Sequence, residues 1–202
     1  GFVTEAFHAF MTSRETVMTR QTNNDNQQET NHDILSGKEF QNIRWTQASR
    51  MEHYHNGCLT ITHAAFVSKD NNENIRRLQG GEEVRLLLRL VSTKALKNVS
   101  PGLVLNGPLG TTIFELFGAD YEQVCRLEAD EAAVVGLDFE FPHLANGVYT
   151  LTVKAETKYT GENAAFTAHD VFILEVNNES MRYRNHSGLV ITAAQLIYAD
   201  NL

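Results

Sequence analysis

The stretch Gly80–Tyr121, GGEEVRLLLRLVSTKALKNVSPGLVLNGPLGTTIFELFGADY, decides the fold class. Val84, Leu86, Leu88 and Leu90 alternate with Arg85, Leu87, Arg89 and Val91. A period of two is the signature of a half-buried β-strand. Pro101-Gly102 breaks the chain, the apolar run Leu103–Leu105 follows, and Asn106-Gly107-Pro108 turns it. A third run, Thr111–Phe117, ends at Gly118. Three strands joined by turn residues predict an antiparallel meander. The stretch holds no nucleophile, phosphate loop or metal cluster, so it reads as scaffold, and function must come from what it displays.

The same character extends outward from Lys38. Leu59–Val67 alternates, with Leu59, Ile61, Ala65 and Val67 assigned to one face. Ala133, Val135, Leu137, Phe139 and Phe141 form another apolar face. Asn146-Gly147 is a turn signal. Tyr149, Leu151, Val153 and Ala155 then oppose Thr150, Thr152 and Lys154. Lys158–Ala168 is polar and predicts a loop, Val171–Val176 a short buried run, and Leu189–Tyr198 the last strand. About eight strands with turns between them predict an all-β, immunoglobulin-like antiparallel β-sandwich. The Cys…Trp…Cys spacing of antibody domains is absent, because Trp45 precedes both Cys58 and Cys125.

Two segments precede this domain. Residues 1–19 predict a helix with Val3, Phe7, Phe10 and Met11 on one side. Residues 20–37 are nearly all Gln, Asn, Thr and acidic, too polar to offset the entropy of ordering, and predict a linker. The β domain is thus expected over residues 38–202. The chain starts without a methionine, which suggests a piece of a longer protein.

The totals narrow the function. The 202 residues, 42% hydrophobic, can build a core that needs no disulfide or metal. A net charge of -8 argues against non-specific nucleic-acid binding, which draws its affinity from a basic surface. No apolar run reaches the ~18 residues of a membrane helix. Two cysteines do not make a disulfide framework and read as reduced thiols. Sequons at Asn98, Asn178 and Asn185 are no more than so Asn-rich a chain produces by chance.

Three chemistries remain. His53 and His55 share a strand face, and with His63 they invite a metal reading, but no complete ligand set is evident. Asp138 and Glu140 lie side by side on one strand, whereas a glycosidase needs carboxyls facing each other across a cleft. No hydrolase or nucleotide-binding motif occurs. We therefore expect no catalytic residue, no metal and no cofactor. Recognition is left. Trp45 opens the β domain, and Tyr54 lies in a loop with Arg50, His53, His55 and Asn56. Aromatic rings stack on the apolar faces of sugar rings, while Arg, His and Asn satisfy hydroxyls or an acidic substituent. Trp45, Arg50, Tyr54 and His55 are the expected carbohydrate-binding residues.

From Arg44 onward the chain resembles the C-terminal carbohydrate-binding domain of the ATP-binding subunit of O-antigen polysaccharide ABC transporters, the Wzt type. The matching pieces come in order: Arg44-Trp45, Gly80-Gly81-Glu82, Pro101-Gly102-Leu103, and then Gly110, Ile113-Phe114 and Phe117-Gly118. Leu127–Glu131, Gly147-Val148-Tyr149-Thr150-Leu151, His169-Asp170 ahead of Phe172, and Gly188-Leu189-Val190 follow. Residues 1–19 are similar to the end of such a subunit's nucleotide-binding domain. Met51–Cys58 is longer and more polar than the family pattern.

The resemblance implies a cytoplasmic module beside the ATPase and the transmembrane subunits. It would bind the non-reducing end of a finished polysaccharide and so select capped chains for export. Walker motifs are absent, so these residues would not hydrolyse ATP. The family dimerises by exchanging a strand. Here Gly188–Leu202 carries apolar residues on both faces and follows a polar hinge, Asn177–Ser187, which permits a strand-exchanged homodimer. An immunoglobulin-like adhesion domain binding protein is the alternative, and a β-sandwich glycan-active enzyme the next.

Overall fold

A computed structural model describes residue 40 and residues 42–118, 125–157, 164–178 and 194–198. The expected helix over 1–19 and linker over 20–37 lie outside the described residues. The strands are β1 (His53–Asn56), β2 (Leu59–Ser68), β3 (Arg77–Leu78), β4 (Glu83–Ser92), β5 (Leu96–Asn106) and β6 (Thr112–Phe117). Then come β7 (Cys125–Leu127), β8 (Ala132–Glu140), β9 (Gly147–Thr157), β10 (Ala165–Val176) and β11 (Ala194–Tyr198). A short 3-10 helix, Ala48–Arg50, precedes β1.

They build two sheets. One has the order β1-β10-β9-β5-β6, with β3 also on β10 and β7 also on β5. The other is β11-β8-β4-β2. All pairs are antiparallel except β3 with β10. The all-β sandwich read from the alternating stretches is the fold. Its core lies between the sheets, where Phe66, Leu86, Leu88, Leu90, Leu137 and Phe139 of one sheet meet Leu103, Leu105, Leu151, Val153, Phe166 and Leu174 of the other.

Several local expectations need correction. Gly80–Tyr121 is not a meander. β4 belongs to the four-stranded sheet, while β5 and β6 belong to the seven-stranded one, so the chain crosses the sandwich between Ser92 and Leu96. Pro101-Gly102 does not break the chain but lies within β5. Proline fits there because β7 pairs with β5 up to Val99 and β6 from Gly102. Among the described residues that side of the strand has no partner at Pro101, so the missing N–H costs no ladder bond to them.

In β2, a register shift between Ile61 and His63 moves the pattern by one. Leu59, Ile61, Ala64 and Phe66 face the main core, while Ala65 and Val67 face the other way. The expected loop over Lys158–Ala168 is also too long, because Ala165–Ala168 already belong to β10. Asn178, the first residue of one sequon, is buried, and its N–H donates to Asn146 Oδ1 at 2.7 Å.

β4 is buried on both faces rather than half-buried. The segment leading into the domain explains this. Phe40, Ile43 and Trp45 pack over the outer face of the four-stranded sheet, against Ala65, Val67, Leu87 and Val134. Phe40 meets Trp45 edge-on, with centroids 5.8 Å apart. Thr46 holds this strap in place through paired backbone hydrogen bonds with Ala64, each 2.8 Å.

Beside the strap, the same face carries a buried ion pair. Arg85 Nε donates to Asp138 Oδ1 at 2.7 Å, and its Nη2 donates to Oδ2 at 3.1 Å. Asp138 is 2% exposed, so this fork-to-fork geometry is what makes its charge tolerable.

His63 lies on this sheet too, paired across from Arg89. The three histidines of the metal reading are therefore split, with His53 and His55 on the other sheet. Burial, and then the Arg89 charge, hold the His63 pKa below its ordinary 6.5. The folded state thus resists a proton that the unfolded state accepts. Above pH 6.5 His63 is neutral in both states and costs nothing; as pH falls below 6.5, stability is lost. We expect His63→Gln to flatten that acid-side loss in urea melts at pH 7.5 and 5.5 (both about one unit from the ordinary histidine pKa). Equal losses in both proteins would reject it.

Candidate functional site

The four expected binding residues occupy two regions. Tyr54 is not in a loop but in β1, the edge strand of the larger sheet, all of whose residues are exposed. It pairs with Thr167 of β10, between His53 opposite Ala168 and His55 opposite Phe166. Ala168 and Phe166 are core residues, so His53 and His55 stand on the inward side and Tyr54 on the outward side. Tyr54 is 60% exposed. The His53 ring lies flat on Phe166, centroids 5.0 Å apart, and His53 Nδ1 is 2.9 Å from the Met51 carbonyl oxygen. Arg50, exposed, ends the short helix just before this strand.

Trp45 is elsewhere. It lies in the strap over the opposite sheet, partly buried. The sandwich separates it from Tyr54, so the structure places Arg50, Tyr54 and His55 at the β1 edge, with His55 on the opposite side of the strand from Tyr54, and leaves Trp45 out.

What lies beside Tyr54 is the outer face of the seven-stranded sheet. A single cross-strand row runs Tyr54, Thr167, Lys154, Gly102 and Phe117. At Gly102 a Cβ would overlap the Phe117 ring, so glycine lets that ring fold back across β5. Lys154 Nζ sits 5.3 Å from the Phe117 centroid and pairs with Glu115 Oε1 at 2.5 Å. Lys154 lies two strands, or about 10 Å, from Tyr54. The next row outward holds Asn56, Ala165, Glu156 and Ser100.

A bulge in β10 adds to this face. Between Ala168 and Phe172 the register with β9 shifts, and Asp170 takes φ 49, a left-handed conformation. His169 and Asp170 are exposed there, and the Asp170 N–H donates to Thr152 Oγ1 at 3.3 Å. Farther along, Thr150 faces Ile173, which with Val148 is exposed and apolar. Sequence reasoning assigned Thr150, Thr152 and Lys154 to one face. It missed Phe117, Glu115 and Asp170. The signals available for them were a glycine inside an apolar strand and a polar His-Asp pair inside another.

Among the described residues no group of three His, Cys, Asp or Glu side chains can hold a metal ion. No helix among them is long and apolar enough to cross a membrane. Both cysteines are free, and burial raises the Cys125 pKa to about 12, which makes it a poor nucleophile.

The fold is a β-sandwich that presents an exposed tyrosine, threonine hydroxyls and ion-paired charges on one broad sheet face. The model of the Wzt C-terminal domain family matches residues 50–191, and the chain belongs to that family. A crystal structure of the C-terminal domain of wzt matches at 15% identity with a TM-score of 0.56, over 74% of this chain and 87% of that one. That likeness is one of fold. A Niemann-Pick type C2 protein from Japanese carpenter ant matches at 13% identity, over 63% of this chain and 98% of its own, with a TM-score of 0.44 too low to carry an argument. No curated protein matches significantly.

Proposed function

We propose that this chain is the glycan-recognition module of an O-antigen ABC exporter. In this role it binds the non-reducing end of a finished polysaccharide without chemically altering it. The observation that carries the reading is the family match over residues 50–191, which supports a non-catalytic, carbohydrate-binding role in O-antigen transport. In this reading residues 1–19 end a nucleotide-binding domain, residues 20–37 link it to the sandwich over 38–202, and the module works on the cytoplasmic side, beside the ATPase and transmembrane subunits. Two copies would pair as a homodimer through the C-terminal strand. Within one chain β11 lies antiparallel on β8, and an exchanged strand would make the same pairs between chains. A monomer by light scattering would end the dimer proposal.

The site we assign is the outer face of the seven-stranded sheet and its β1 edge. Tyr54 supplies the stacking ring. Arg50 and His55 reach hydroxyls from the rim, and Thr167 offers a hydroxyl of its own. Trp45 serves packing. The deciding experiment is titration of the chain with the polysaccharide of its own source, intact and with the terminal cap removed. Loss of binding on decapping supports recognition of the end; equal binding rejects it.

Tyr54→Ala is expected to weaken binding about tenfold, because stacking by one ring is worth roughly 1–2 kcal/mol, by analogy with aromatic pairs. Its thermal midpoint should stay close to that of the parent, since the ring is mostly in solvent. Unchanged affinity in calorimetry would move the site off β1.

A further inference from the structure

We infer that the part of the glycan lying across the outer sheet face is uncharged: a neutral sugar terminus, hydroxylated or alkylated, rather than one bearing phosphate or carboxylate. This rests on the assignment of carbohydrate binding to that face.

Next to the Tyr54 row the face carries one ammonium, Lys154, and three carboxylates, Glu115, Glu156 and Asp170. Lys154 is already committed. Glu115 holds its Nζ, and the Phe117 ring lies beneath it. A phosphate reaching this row would have to displace Glu115 from Lys154, and it would still face Glu156 one pleat away and Asp170 above Thr152. Like charges at such spacing repel more strongly near a protein surface than in bulk water.

Other cations on the face lie at its margins. Arg77 pairs with Glu175, and Arg126 with Glu128. Lys97 lies five residues before Gly102 along β5, or roughly 17 Å. Arg50 precedes β1, and its neighbours Ala48 and Met51 pack into the main core. None of these reaches the middle of the row. Neutral partners are better served. Thr150, Thr167, Asn56 and Asn106 offer paired donor and acceptor capacity, which matches sugar hydroxyls.

The test uses the full chain and a panel of neutral oligosaccharides. Each is prepared also with a terminal phosphate monoester and with a terminal uronic acid. We expect a neutral member to bind, with an affinity insensitive to salt, and its two acidic forms to bind at least about tenfold more weakly, as one close like-charge contact implies. The double substitution Glu156→Gln, Asp170→Asn should recover much of that loss for the acidic forms and leave neutral affinity within a few-fold. Acidic forms bound as well as or better than the neutral one would overturn the inference while leaving carbohydrate binding standing. So would acidic forms that stay excluded from the double variant, because the exclusion would then not be electrostatic. Failure of every glycan to bind would instead remove the carbohydrate reading, and this inference with it.

Discussion

Arg85→Met is expected to destabilise the domain by about 3 kcal/mol or more, as loss of one partner from a buried ion pair does. Asp138 would be left almost wholly buried, with both oxygens stripped of their guanidinium donors. Lys69, 3.9 Å away, offers partial compensation and keeps the expected loss at the lower end of the range. The size of this effect comes from the orphaned carboxylate more than from the lost attraction. The double variant Arg85→Met, Asp138→Leu should therefore recover most of the stability, since apolar replacement of both partners is often neutral. Urea melts of the two proteins decide it. A double variant as unstable as the single would show that Arg85 acts through some other contact.

Trp45→Ala carries the second large effect, a loss of roughly 3 kcal/mol, at the low end for a core aromatic because the ring is only partly buried. It removes the edge contact with Phe40 and opens the strap above Leu87 and Val134. Glycan affinity of the folded protein should not change, because Tyr54 and Lys154 lie on the far sheet. Trp45→Ala and Tyr54→Ala are thus expected to give opposite results: stability lost with affinity kept, and affinity lost with stability kept. A Trp45→Ala protein as stable as the parent but weaker in binding would reverse the assignment of the two aromatics.

The contrast between these residues shows what sequence could tell. Both are aromatics near Arg and His in one short region, and nothing in that composition separates them. Their separation comes from Thr46 pairing with Ala64 and Tyr54 pairing with Thr167, two contacts made with different sheets. Alternation in β4, β8 and β9 was legible because each side chain's face follows from its own strand. Sheet membership was not, since it depends on partners far along the chain. The register shift in β2 and the bulge at Asp170 were hidden for a related reason: one inserted residue reverses the faces that follow it. The outer face around Lys154 was half legible. Thr150, Thr152 and Lys154 fell on one strand, whereas Phe117 and Glu115 reach them only once β6 lies beside β5.

The crossing of the chain between sheets also governs how the domain comes together in time. β5 with β6 and β9 with β10 are near neighbours in sequence and can close early. β1 cannot: Tyr54 must wait for Thr167, more than a hundred residues later. β4 waits for β8, and β5 for β9. Most ladders thus close long loops, which places the domain among slow folders, on the millisecond-to-second scale of β-sandwiches. During synthesis the apolar strands β2 and β4 emerge well before the sheet that will cover them. The strand bearing Tyr54, short and exposed at the margin, gains its partner strand β10 near the end.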